Sequence, residues 1–154
     1  RDRDEQIPIN DLATILETLA DYGVVTKDVE VLTEYVRQAL KRTIAAKYAN
    51  ERHELQVAVI QPKLEEIIAQ SIQKTATGSY PVLKPDTVTK LLDSISGIQH
   101  AAIAQNINFV ILASPKIRLA FKKMIVFNFP DIAVLSLNEI PNEIAIETVG
   151  SIDI

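Results

Sequence analysis

Apolar residues return every three or four positions at the start of the chain, with Leu12, Ile15, Leu16, Leu19 and Tyr22 on one side and Asp11, Thr14, Glu17, Thr18 and Asp21 on the other. This spacing predicts an amphipathic helix ending near Gly23. Thr26 is placed to cap a second helix, and Asp28 and Glu30 suit the positive end of its dipole. Its stripe of Val29, Leu32, Val36, Ala39, Leu40 and Ile44 carries it to about Tyr48. The period then shortens to two. Leu55, Val57 and Val59 alternate with Gln56 and Ala58, which predicts a strand. Pro62 opens a following helix bearing Leu64, Ile67, Ile68 and Ile72.

The stretch from Thr75 to Pro81, rich in Thr, Gly, Ser and Pro, reads as a loop. Pro85 opens another helix with Val88, Leu91, Leu92 and Ile95, which Gly97 bends or ends before an Ala-rich continuation through Ala104. Two short continuous apolar runs follow, Phe109 to Ala113 and Ile132 to Leu135. A helix begun by Ser114-Pro115 joins them, the pattern of two buried parallel strands with a right-handed crossover. Ile144, Ile146 and Thr148 against Ala145, Glu147 and Val149 predict a half-exposed edge strand. The expected fold is α+β or α/β: a helical subdomain over residues 1–52, then a small α/β subdomain with a mostly parallel sheet over residues 53–154.

Composition narrows the function classes. A chain of 154 residues with 47% hydrophobic residues is long enough to bury a sizeable core. A net charge of -4 supplies no overall positive field for nucleic acid or anionic lipid. With no cysteine there is no disulfide, thiolate nucleophile or thiolate zinc site. The least charged stretch, Ile98 to Ser114, is interrupted by Gln99, His100, Gln105, Asn106 and Asn108 and falls short of the roughly 18 apolar residues of a membrane span. The start, Arg1-Asp2-Arg3-Asp4-Glu5, has neither an initiator Met nor a signal peptide and reads as that of an excised fragment.

Candidate chemistry is sparse. His53 and His100 stand far apart, with no ligand at metal-binding spacing on the same helix face. Glu65 and Glu66 diverge around their helix, and no GxSxG elbow exists. No catalytic, metal or cofactor site is therefore expected. Ser114, Lys116 and Arg118 form a candidate anion contact, because a strand running into a helix start aims free N–H groups outward beside two cations. The opposing reading makes Ser114 a cap and Pro115 the first helical residue, without the glycines of phosphate loops. Arg37, Lys41, Arg42 and Lys47 give the second helix a basic run that a DNA-binding helix could use, countered by Asp21, Asp28, Glu30 and Glu34.

Four blocks carry a family resemblance. Ile7-Pro8-Ile9-Asn10-Asp11-Leu12-Ala13-Thr14-Ile15-Leu16-Glu17-Thr18-Leu19-Ala20-Asp21-Tyr22 resembles the signature of the bacterial FlhA and InvA export gate family. Thr26-Lys27-Asp28 and Leu32 to Arg42 are similar to its second helical block, in the flagellar form. Val110 to Arg118 and Val134 to Pro141 resemble two motifs of the family's last subdomain, in order. Asn10, where a basic residue is usual, and Gly23-Val24-Val25 depart from the pattern. The resemblance implies an inner-membrane protein of several spans, whose cytosolic region has four subdomains, forms a ring of nine and receives substrates and chaperones for export. This chain resembles the third and fourth. The implied partners are other copies of itself, flagellar export substrates, chaperones and export apparatus components, with no nucleic acid and no membrane contact except through spans elsewhere in the protein. The family's best-known chaperone groove lies between the first two subdomains, so no groove residue is carried over. Leu12, Ile15, Leu16, Leu19, Val36 and Leu40 read as core positions, and the polar Asp21, Lys27, Asp28, Glu34, Arg37 and Arg42 as candidate subunit or partner contacts. The competing role for the polar set is pairing within a helix, such as Glu34 with Gln38 or Arg37.

Overall fold

The computed structural model describes residues 9–154. Three helices come first: α1 (Ile9–Tyr22), α2 (Val29–Ala39) and α3 (Lys41–Tyr48). Then β1 (Glu54–Ile60) leads into α4 (Pro62–Ser71), the hairpin β2 (Ile72–Thr75) and β3 (Gly78–Pro81), and the long α5 (Pro85–Ala104). The remainder is β4 (Val110–Ala113), α6 (Arg118–Ile125), β5 (Val134–Ser136), a 3-10 turn at Leu137–Glu139 and β6 (Ala145–Ile152).

The main sheet has the order β5-β4-β1-β6, and all three pairings are parallel. Alternation along the strands divides the core between its two faces. Ala58, Ile60, Ile111 and Val134 pack with Leu64 and Ile68 of α4, Leu91 and Ile95 of α5, and Phe121 and Ile125 of α6. Leu55, Val57, Val110, Leu112 and Leu135 face the other way, against Ile44 and Tyr48 of α3 and Ile140 and Ile144. The amphipathic end of the helical segment thus closes the second face of the sheet.

Pro62 and Pro85 stand in the first turn of their helices, where a missing N–H leaves no bond unmade. α5 runs through Gly97 without a break. Gly150 has a different reason to be glycine: a Cβ there would lie 2.9 Å from Ile98 Cγ2, so β6 can approach α5 only without a side chain. A register shift between Val57 and Ala58 marks a bulge beside it.

Several expectations change. The second helix starts two residues later and is broken. Asp28 rather than Thr26 is its cap, accepting from the N–H groups of Glu30 and Val31, while the Thr26 hydroxyl accepts from the Asp28 N–H. The backbone departs from helical geometry at Leu40, so α3 is a separate helix. The predicted loop at 75–81 is largely the β2–β3 hairpin, whose register runs from Ile72 opposite Pro81 to Thr75 opposite Gly78. Gly78 takes φ +134, a backbone state that L side chains rarely adopt, which is what lets so short a turn close. The helix expected from Ser114-Pro115 starts only at Arg118, after a turn over residues 115–117. His53 sits at φ +59 in a turn organised by Asn50, whose Oδ1 accepts from the N–H groups of Arg52 and Glu54.

The larger correction concerns the first helix. Leu12, Leu16, Leu19 and Tyr22 are exposed, and Ile15, Val36 and Leu40 are only half-buried. α1 is held to its neighbours by a stack of Tyr22 on Tyr35, with ring centroids 4.0 Å apart, and by a hydrogen bond from the Thr43 hydroxyl to Asp11. α2 buries no residue completely. The periodicity located an apolar stripe correctly but could not say that the α/β unit leaves it uncovered. Among the described residues no helix is long and apolar enough to cross a membrane.

Candidate functional site

Charges, more than apolar packing, join α2 to the α/β unit. Glu30, Glu34 and Arg37 follow one another at helical spacing, so they line one face of α2. Across from them α6 presents Arg118 and Lys123, and the 3-10 turn presents Glu139. Arg118 grips Glu34 with two bonds, Nε to Oε1 at 2.8 Å and Nη2 to Oε2 at 3.0 Å, and donates through Nη1 to the carbonyl of Val134 at 3.0 Å. Arg37 grips Glu139 in the same forked way, at 2.6 and 3.1 Å. Lys123 bonds Glu30 and also the carbonyl of Ser79, while the Ser79 N–H donates to Glu30. The hairpin therefore joins the seam. Lys74 reaches Asp28 at 2.9 Å, and Arg42 reaches Glu143 at 3.0 Å.

The carboxylates show this environment. Donation from Lys123 holds the Glu30 carboxyl below its ordinary range, with the Ser79 amide adding to the effect against the opposing pull of burial. Donation from Lys74, and then from the amide of Val31, lowers Asp28 in the same way, and Lys74 is raised by Asp28 in return. Lys122, by contrast, is pushed down by burial and then by the nearby charge of Arg118.

Of the six candidate contact residues, Asp28, Glu34, Arg37 and Arg42 thus bond within the chain. The partner of Glu34 is Arg118 from another element, not Gln38 or Arg37 of its own helix. Asp21 and Lys27 remain on the surface beside the apolar stripe, Lys27 donating to the carbonyl of Gly23. Two of the three residues of the candidate anion contact are also bonded within the chain. The Ser114 N–H donates to the Glu65 carboxylate at 2.8 Å, and Arg118 is buried against Glu34. The Ser114 N–H and the Arg118 guanidinium are thus met by carboxylates of the protein, whereas Lys116 stays exposed.

Glu30, Lys74, Lys123, Glu139 and Glu143 also bond here, although sequence patterning did not single them out as contacts. Glu139 alone had a signal. Ser136 and Glu139 form a capping box, in which Glu139 accepts from the Ser136 N–H at 2.9 Å, and this S-x-x-E spacing is legible in the sequence. Among the described residues no group of three or more His, Asp or Glu is placed to hold a metal ion.

On the opposite side of α1 the surface is apolar. Leu12, Leu16 and Leu19, with Val24, Val25 and Val29 beyond the helix end, are all exposed, Leu16 at 59% and Val24 at 80%. A concentration of aliphatic side chains of this kind marks a contact surface more often than a free one.

Known proteins share this architecture. The flagellar biosynthesis protein FlhA of Bacillus subtilis (strain 168) is 37% identical over 150 residues, which are 97% of this chain and 22% of that protein. The nonameric EPEC SctV-C seen by cryo-electron microscopy superposes with a TM-score of 0.81 at 34% identity, over 96% of this chain and 44% of that one. The Chlamydia pneumoniae CdsV and CdsO complex gives 0.80 at 37%, over 96% and 44%. The chain thus spans about a fifth of its curated relative and under half of the solved chains. The FHIPEP family profile matches residues 3–145, nearly the whole chain. This chain, with its ion-paired helical layer on a parallel sheet, belongs to the FHIPEP family of type III export gate proteins.

Proposed function

We propose that the chain is a ring-forming and docking part of a flagellar type III protein export gate, on the cytoplasmic side of the inner membrane, where it helps to recruit and order export substrates and their chaperones. The likeness to the nonameric SctV-C carries this reading. The CdsV and CdsO complex supports a role in holding other components of the apparatus. Work of this kind is docking and assembly rather than catalysis.

Residues 1–52 and 53–154 act as two subdomains with different duties. The first turns its apolar stripe, Leu12, Leu16, Leu19, Val24, Val25 and Val29, toward a neighbouring copy, with Asp21 and Lys27 at the rim. Arg42 and Glu143, both well exposed, form a pair that can exchange partners when another subunit approaches. Glu34 and Arg37 contribute by fixing α2 to the sheet unit, which sets the angle at which the stripe is presented.

The test is a full-length gene replacement carrying Leu16→Glu. Export of flagellar substrates and the yield of rings are expected to fall, while the isolated chain keeps its thermal midpoint. Normal export and normal rings in a strain carrying both Leu16→Glu and Arg42→Glu would overturn the reading.

A further inference from the structure

A cleft of about 270 Å³ opens where α3 and the end of α2 meet the outer edge of β5. It is lined by Arg37, Lys47, Arg118 and Lys122 together with Tyr48 and the backbone of residues 133–135. Four of its lining side chains are basic and none is acidic.

Part of this charge is already balanced. Glu139 neutralises Arg37 and Glu34 neutralises Arg118, each from behind the cleft. Burial opposes the charge of Lys122, Arg118 and Arg37 repel it, and Asp131 attracts it. Lys122 Nζ donates to the carbonyl of Ile132 at 2.8 Å, a neutral acceptor. Lys47 lies over the Tyr48 ring at 5.4 Å. Among the described residues no carboxylate forms an ion pair with either lysine. The four cations therefore exceed the three nearby carboxylates. Arg37 spends its Nε and Nη2 on Glu139, which leaves Nη1 free to donate.

We propose that this cleft binds a compact oxyanion, held by the ammonium groups of Lys122 and Lys47 and by Arg37 Nη1. Such a ligand removes repulsion among these cations, and Arg37 and Lys122 are already held by their own bonds, so little rearrangement of those two opposes binding. It also ties α2 and α3 to α6 across the seam. The oxyanion is either a free phosphate or a carboxylate offered by a partner, and the two are separated by the choice of probe.

The chain is titrated with sodium phosphate and, in a second arm, with sodium succinate, against sodium chloride at matched ionic strength and pH. At about ten times the dissociation constant the thermal midpoint is expected to rise by about 3 °C, saturably, over the chloride control. A response to phosphate points to the free ion and one to succinate points to a carboxylate source; each supports the site. Lys122→Met and, separately, Lys47→Met abolish the rise, whereas Lys63→Met, an exposed position on α4 outside the cleft, retains it. No rise beyond chloride in both arms overturns the proposal, and so does an undiminished rise in a folded Lys122→Met or Lys47→Met chain.

Discussion

Arg37 of the second helix clamps the buried carboxylate of Glu139, 102 residues away, with its Nε 2.6 Å from Oε2. Glu139 is 1% exposed and Arg37 26%, so one charge of the pair has left water almost entirely. Such a pair adds little over a well-packed apolar pair of the same volume, but removal of one partner leaves the other uncompensated. The seam is therefore strict about its residues without being a large source of stability.

Arg37→Ala is expected to destabilise the chain by about 3 kcal/mol, the lower end of the range for a broken buried pair, because the arginine keeps some solvent. Arg42→Ala, which breaks an exposed pair, is expected to cost less than about 1 kcal/mol. Urea denaturation of both variants checks the contrast.

Glu34 and Arg118 should be energetically coupled. A double-mutant cycle with Glu34→Gln and Arg118→Gln is expected to give an interaction of about 1 to 3 kcal/mol, since the forked contact is mostly shielded from water. A cycle pairing Glu34→Gln with Arg42→Gln, which do not bond each other, is expected to be additive.

Acid should loosen the hairpin from α2. The folded chain holds Glu30 below its ordinary 4.5 and Asp28 below 3.8, so the folded state gives up protons that the unfolded chain retains. Their stabilisation is complete above the unfolded values and is lost as pH falls through the lower folded values. Urea midpoints measured from pH 7 down to pH 2 should therefore fall less steeply in Glu30→Gln than in the unaltered chain.

Gly150→Ala is expected to destabilise by about 1 to 3 kcal/mol, because the new methyl meets the branched side chain of Ile98 at under 3 Å. Adding Ile98→Ala should recover part of the loss, as thermal denaturation of the double variant would show.

Two leucines of the same kind should behave in opposite ways. Leu91→Ala, fully buried between helix and sheet, is expected to cost about 2 to 5 kcal/mol. Leu16→Ser, on the open stripe of α1, is expected to change stability by about 0.5 kcal/mol or less. A comparable loss in both would mean that the stripe is part of this chain's own core.

What kind of element most segments form was legible from the residues alone, the hairpin over 72–81 and the break at Leu40 excepted. The period of two at Leu55 to Val59, the apolar runs at 109–113 and 132–135, and the prolines at 62 and 85 act over a few neighbouring residues, and the structure follows them. The family motifs were legible for the same reason. Tertiary structure decided what those local signals do not encode. Periodicity shows that α1 has an apolar face but not what covers it, since burial depends on how distant segments meet. A charged residue carries no mark of its partner either: Glu34 could as well have bonded along its own helix as with Arg118, 84 residues on. The fold settled that choice by bringing α6 against α2, so that Glu34, Arg37 and Arg118 tie the helical layer to the sheet.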